Sequence, residues 1–396
     1  MRSLLFALQA LVFTGSVPVA RETTEFAKLV AQLSENGGFF DSDNLVSNET
    51  SYLHVLPALE SMGIRGGAYL GVGPEQNFSY LAEIRPELAI MIDIRRDNML
   101  LHLLFKAIFE RARNRLDYLC LLYGRPVPAD LPKWTDRPLD DILMYLDLTP
   151  GDSGLHAANH RSLMERVTAY GVPLTDTDRA TIRRFHGEFA ALGLELRYTS
   201  LNRPSRPNYP SERDLYLATD MNGRRGNYLT TEERFRVVQE LERGDRIVPA
   251  VGDLSGTVAL KAIAQYLAER KLTVSALYVS NVEMYLFRNG TFAQFAANVR
   301  SLPSSPSSVI IRSSFGRGGW RGPDPFQQAF PSPIPQPLPG HLSAQLLQPF
   351  PAFLKLTAQP DSATYLDLLM NSLFDFRVPQ SPPPGRRRRR LTGCVR

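Results

Sequence analysis

Cysteine is almost absent from this chain of 396 residues: Cys120 sits in the apolar run LDYLCLLYG and Cys394 lies near the C-terminus. Two cysteines so placed exclude a disulfide framework and a cysteine-rich metal cluster. Lysine is also scarce, six against 39 arginines. That bias runs through the whole chain and takes functional weight from any single arginine. Beyond Leu4–Phe13 no apolar run approaches the length of a membrane helix, and that run is itself too short for a permanent span, so the remainder is expected to be soluble. A charge excess of one sign is missing from the body as well. The formal net charge is +5, yet residues 380–396 carry Arg386–Arg390 and Arg396 with no acid, and setting these and Arg2 aside leaves residues 21–379 at −2. A near-neutral body lacks the electrostatic footprint of a nucleic-acid-binding protein.

The two ends are distinct in composition. MRSLLFALQALVFTGSVPVA combines an early positive charge, a short apolar run and small residues at Gly15, Ser16 and Ala20, the layout of a cleavable export signal over residues 1–20. If it is one, the protein is exported, periplasmic or secreted; if the start is mis-assigned, it is cytoplasmic. SPPPGRRRRRLTGCVR, within 379–396, predicts a disordered tail, with weak contact to an anionic membrane or polyanion through Arg386–Arg390.

Between them the pattern is α/β. Helical spacing in TTEFAKLVAQLSE leads through a polar loop to a second helix. Then come a strand at Ala68–Leu70, a glycine turn from Gly71, a helix through Ile84, a strand at Leu88–Ile94 and one long helix from Asp97 to Tyr123. These strands are unbroken apolar runs, as in parallel strands covered on both faces. Residues 126–210 read as a helical insertion or cap. In YLTTEERFRVVQELERGD, Thr230 with Glu233 predicts a capping box, and RIVPAVGD, TVSALYVSN and SSVIIRSSF then alternate with helices. The expectation is a doubly wound, mostly parallel, Rossmann-like sheet with a helical insertion between its second and third strands, built from residues 21–125 and 211–315. A Pro/Gly/Ser-rich linker at 316–340 and C-terminal helices in 341–378, from HLSAQLLQPF and SATYLDLLMNSLF, complete the chain.

The chemistry centres on GGAYLGVGPEQNFSYLAEIRPELAIMIDIRRDN. A dinucleotide loop wants three glycines; Gly71 and Gly73 fill two places and Gln76 stands in the third. Glu75 would compete with a pyrophosphate for the helix N-terminus. A cofactor without phosphates at that point, S-adenosylmethionine, suits the turn better: Gly71 and Gly73 allow close backbone approach, with Gln76 and Asn77 beside them. Asp93, at the roughly 20-residue spacing that helix plus strand requires, accepts from the ribose hydroxyls, and Asp253 in VGDLSG meets the adenine amine. The plain alternative is a helix start, with Pro74 at the first helical position and Glu75 after it. After the fourth strand, YVSNVEMYLF offers Glu283 as general base and Asn281 as a hydrogen-bonding clamp, with Ser280 and Tyr285 alongside; a capped strand-to-helix turn explains the same residues. DNLVSNETSY (43–52) is placed over the cleft. His156 and His160 are four apart without a third ligand, so no metal is expected, and His54, His102 and His186 read as packing or surface residues. Asn48, Asn77 and Asn289 head glycosylation triplets that matter only in a glycosylating pathway.

As a set, FFDSDNLVSNETSYLHV, the glycine-turn segment, GRRGNYLTTEERF, VGDLSG, YVSNVEMYLFRNGTF and SVIIRSSF, spanning about residues 25 to 320, resemble an uncharacterised bacterial family of methyltransferase-like proteins, often with an export leader. The resemblance implies a Rossmann-like core and no established reaction. From the wider class I methyltransferases it implies Gly71 and Gly73 in the cofactor turn, Asp93 at the ribose and Asp253 at the adenine. The chain departs from that class at Glu75 or Gln76, where a third glycine is usual, and in the long segment 95–246. Because S-adenosylmethionine is cytosolic, a leader and this cofactor conflict. Three readings stand: a methyltransferase-like enzyme, an exported non-catalytic module binding a small molecule in the same cleft, and a nicotinamide-dinucleotide oxidoreductase.

Overall fold

The computed structural model describes residues 23–201, 203, 206–315, 335–359, 363–374 and 376. The leader, residues 316–334 of the expected linker, the basic tail and Cys394 lie outside the described residues.

Six strands form one sheet: β1 (Ala68–Gly71), β2 (Leu88–Asp93), β3 (Ile247–Val251), β4 (Val274–Ser280), β5 (Ser304–Phe315) and β6 (Ser343–Pro349). Their order is β3-β2-β1-β4-β5-β6, parallel except for β6, which runs antiparallel to β5. The protein is therefore α/β with a mostly parallel sheet, an arrangement compatible with a Rossmann-like fold. The apolar runs explain the parallel strands: every residue of β1 and β3 is buried, and so is β2 except its terminal Asp93.

The helices are α1 (Glu25–Leu33), α2 (Leu56–Ser61), α3 (Gln76–Ile84), α4 (Arg96–Arg111), α5 (Arg115–Tyr123), α6 (Leu139–Leu148), α7 (Ser153–Ala169), α8 (Asp176–Leu192), α9 (Glu212–Tyr216), α10 (Glu232–Arg243), α11 (Ala259–Glu269), α12 (Val282–Arg288), α13 (Phe292–Ser301), α14 (Phe350–Leu356) and α15 (Tyr365–Met370). Helix α4 is buried from Asn98 to Phe109 because it packs on β2 and β3 while α7, α8 and α10 cover it. Among the described residues no helix is long and apolar enough to cross a membrane.

Four local expectations change. The helix expected from Asp97 to Tyr123 is two helices. Asn114, extended at φ −159°, caps α5 by accepting from the Asp117 amide, and the Gln239 side chain takes the carbonyls of Phe109 and Ala112 at 2.8 and 2.7 Å. The cap of α10 is Thr231, whose hydroxyl accepts from the Arg234 amide; Glu233 instead pairs with Arg85, so the box expected from Thr230 does not form. Helix α3 starts at Gln76, which leaves Pro74 in the turn rather than at the first helical position. Finally, SAQLLQP, within a stretch expected to be helical, is strand β6. It completes the sheet edge through seven register pairs with β5, a tertiary gain that overrides a helical pattern of the same short length.

Candidate functional site

The carboxyl ends of the parallel strands form the rim where open α/β sheets receive ligands. The first turn on this rim is locked from within. A Cβ on Gly71 would collide with Asn77 Oδ1 and stand 2.7 Å from Tyr69 Cε1. Asn77 is fully buried; its Oδ1 accepts from the Tyr69 hydroxyl at 2.7 Å and its Nδ2 donates to the carbonyls of Val72 and Pro74 at 2.9 and 2.8 Å. Gly71 and Asn77, expected at the cofactor, are thus spent on holding the turn, and the burial of Asn77 also closes it to glycosylation. Gly73 faces the rim. Its φ of +82° is left-handed, and a Cβ there would stand 3.2 Å from Gln76 Nε2 and 3.4 Å from Asn44 Nδ2.

The acids expected to meet a nucleoside have partners inside the chain. Asp93 Oδ1 accepts from Arg95 N and Nε at 2.9 and 3.1 Å, and Oδ2 accepts from Arg95 Nη2 at 2.9 Å. Arg95 Nη1 donates onward to the carbonyls of Ser42 and Asp43 at 2.8 and 2.6 Å. The Asp253 amide donates to Glu35 Oε1 at 2.8 Å, and its carboxylate accepts from Ser255. Glu35 Oε2 also takes the amides of Val258 and Ala259 at the start of α11, at 3.1 and 3.3 Å. This is the favourable site for an anion at a helix N-terminus, filled by the protein itself.

These partners belong to one strap, residues 34–55, laid across the rim. The Gly38 amide donates to the Ile94 carbonyl at 2.7 Å, Glu49 receives the hydroxyls of Ser280 and Ser313, and Ser51 meets Ser343 at 2.9 Å. The segment 43–52 therefore lies where it was placed, but the strap begins further back, at Ser34, whose hydroxyl accepts from the Val251 amide.

After β4, Ser280 is left-handed (φ +51°), and Asn281 and Tyr285 are half-buried. The Tyr285 ring meets Phe40 of the strap edge-on at 5.4 Å. Glu283 is 1% exposed and points away from this group, into Arg312, at 2.6 and 3.1 Å. Arg312 is further held by Gln348 and Ser372. Glu283 is an anchor for β5 and β6, so the role of general base passes to no acid at this position.

A second group of side chains, near Gly73 and the start of α4, keeps buried polar atoms without partners. His102 Nε2 donates to the Gly73 carbonyl at 2.9 Å; burial lowers its pKa to about 4, which keeps the ring neutral and leaves Nδ1 a bare acceptor. Neither amide atom of Asn98 has a partner, nor does Gln76 Oε1 or His102 Nδ1, although all three residues are at least nine-tenths buried. Asn98 lies one turn before His102 on the same face of α4. Each buried orphan costs about 1–3 kcal/mol unless water or a ligand meets it. Glu75, expected at the mouth of the helix, is 3% exposed and turned inward; burial first and the Glu212 carboxylate second raise its pKa well above the usual range. It does not stand where a phosphate would. The sequence reading missed Glu35, Glu49, Arg95, Asn98 and His102. Only the last two left a signal, an i, i+4 polar pair just past the β2 acid.

The chain matches a family profile described as a domain of unknown function (DUF7790) over residues 44–124 and 186–366. No curated protein matches it. The matched segments contain Asn44, the Gly73 turn, Asp93, Asn98, His102, Asp253 and Asn281, while Glu35 and the segment 125–185 fall outside them. The family's description states no activity, so the methyltransferase-like and bacterial features of the resemblance find no counterpart in it. With both halves of the rim inside the match, the chain belongs to the DUF7790 family.

Proposed function

We propose that the protein binds a small neutral polar molecule, a nucleoside or a similar sugar-bearing compound, in the wedge between the Gly73 turn and the start of α4. The observation that carries this reading is the set of buried, unpartnered atoms there: Gln76 Oε1, His102 Nδ1 and both amide atoms of Asn98. All four atoms belong to neutral groups, and three are acceptors against the one donor, Asn98 Nδ2. Such a lining asks for hydroxyl and amino donors and repels the oxygens of a phosphate. In this reading the helices between β2 and β3 act as a cap on the cleft, since Arg184 of α8 grips Asp43 of the strap at 2.6 and 3.0 Å.

S-adenosylmethionine-dependent methyl transfer is the second reading. The strand order and the placing of Gly73, Asp93, Asp253 and Asn281 on one rim favour it. The residues do not fit the cofactor as they stand: both Asp93 oxygens are on Arg95, Glu35 holds the Asp253 amide, and Glu283 is removed from the rim by Arg312. No methyl-transfer step is derived through them. The dinucleotide reading finds less support, because Arg95, just past the end of β2, is committed to Asp93 and strap carbonyls.

The test is a thermal-shift and calorimetry series on the full chain with adenosine, guanosine, cytidine, uridine, S-adenosylhomocysteine and NAD. Binding of at least one free nucleoside, lost in Asn98→Leu while that variant stays folded, is the expected outcome. Binding of S-adenosylhomocysteine without any free nucleoside would move the conclusion to the methyltransferase reading. A shift with NAD alone would move it to the dinucleotide. Silence from every compound, or binding unchanged by Asn98→Leu, would end the proposal.

A further inference from the structure

We infer that helices α7 and α8 carry a phosphate-binding site, separate from the rim. Three histidines meet where these helices pack: the His156 and His186 rings lie 4.3 Å apart and those of His160 and His186 5.4 Å apart. Their protons can be assigned from one end. His186 Nε2 lies 3.0 Å from the Leu121 carbonyl, which only accepts, so this nitrogen donates. Burial lowers the His186 pKa to about 3. The ring is therefore neutral and its Nδ1 is an acceptor. His160 Nδ1, 3.2 Å from it, must donate. His160 is neutral as well, its pKa lowered by burial first, then by Arg183 and His156. Its Nε2 is then a lone pair. That nitrogen has no partner, and the residue is 7% exposed.

His160 lines an open pocket of about 410 Å³ with Arg161, Met164, Glu165, Thr168 and Arg183. Neighbouring arginines are committed: Arg166 to Glu110, Arg184 to Asp43 and Glu188. Arg161 and Arg183 have no ion pair or side-chain hydrogen bond among the described residues. With one carboxylate, Glu165, in the lining, the pocket keeps an excess of one positive charge. Two free guanidiniums beside a fixed acceptor nitrogen call for a tetrahedral oxyanion that still carries a proton. The guanidiniums take its charged oxygens, and the remaining P–OH donates to His160 Nε2. Inorganic phosphate keeps such a proton at neutral pH, and a phosphate monoester, whose second pKa is about 6, takes one up at small cost on binding. Sulfate does not, and would set lone pair against lone pair. His160, Arg161 and Arg183 all lie in the segment 125–185 that the family profile leaves unmatched, so this site is an addition to the family's common body.

Calorimetry on the full chain at pH 7 with inorganic phosphate, glycerol 3-phosphate and sulfate tests the inference. Phosphate or the monoester should bind at least tenfold more tightly than sulfate, and the stronger of the two identifies a free or an esterified ligand. Arg161→Gln with Arg183→Gln, both at exposed positions, should weaken binding at least tenfold with the circular dichroism spectrum unchanged. His160→Gln, whose amide can turn a donor toward the ligand, should bring sulfate to within about threefold of phosphate. Equal binding of sulfate and phosphate by the unaltered chain, or no binding of either phosphate, would overturn it.

Discussion

The two halves of the sheet's rim treat buried polar groups in opposite ways. Over β4, β5 and β6, each acid is met: Glu49 by two serine hydroxyls, Glu283 by Arg312, and Arg312 in turn by Gln348 and Ser372. Around the β1 turn and the start of α4, Gln76 Oε1, Asn98 and His102 Nδ1 are equally buried and unmet. Both halves were candidates for chemistry from sequence. Satisfied groups confer rigidity; unsatisfied ones carry a desolvation cost, which in the reading proposed above a bound ligand relieves.

The sharpest way to break this comparison is to disturb the satisfied half. Glu283→Ala leaves the buried Arg312 without its counter-charge, and should cost about 3–5 kcal/mol in urea unfolding. Glu283→Leu with Arg312→Met should recover most of it, and neither variant should alter nucleoside binding. Next in size is a pH effect from the unsatisfied half. Burial lowers the His102 pKa to about 4 from its ordinary 6.5, so the unfolded chain takes the proton first as pH falls. Its contribution, on the order of 3 kcal/mol, is complete above pH 6.5 and lost as pH drops towards 4. Unfolding free energies measured across that window should fall less steeply in His102→Leu. Some slope remains, because His54 and His186 are depressed in the same direction, to about 4 and about 3.

Smaller changes sharpen the contrast. Glu49→Gln keeps the shape but turns one acceptor into a donor facing a serine hydroxyl, and should cost about 1–3 kcal/mol by thermal or urea unfolding. Asn98→Leu removes an amide that has nothing to bond, so the free protein should stay within about 1 kcal/mol of the original or gain stability. A loss above that range would show that Asn98 is held by structural water, and would place both halves of the rim on the same footing.

Much of the frame was readable along the chain. The apolar runs at 68–71, 88–93 and 247–251 are strands: four or five consecutive buried residues, bounded by turns, fit a short strand covered on both faces. Gly73 needs its left-handed turn whatever surrounds it. Less legible were short segments whose state depends on distant partners. SAQLLQP is a strand because β5 offers an open edge, and the break after Arg111 is kept open by Gln239. At the site, position was legible and partnership was not. Asp93 stands at the end of β2 as its spacing requires, yet its carboxylate answers to Arg95, two residues on, and through it to the strap.

By itself, then, the order of residues determined the five parallel strands and which polar groups stand at their carboxyl ends, since both follow from local periodicity and turn chemistry. Only the tertiary structure decided what those groups touch. Glu35, Glu49 and Arg312 reach their partners from 29 to 264 positions away. A hydrogen bond depends on angstroms in space, and separation along the chain carries no record of them.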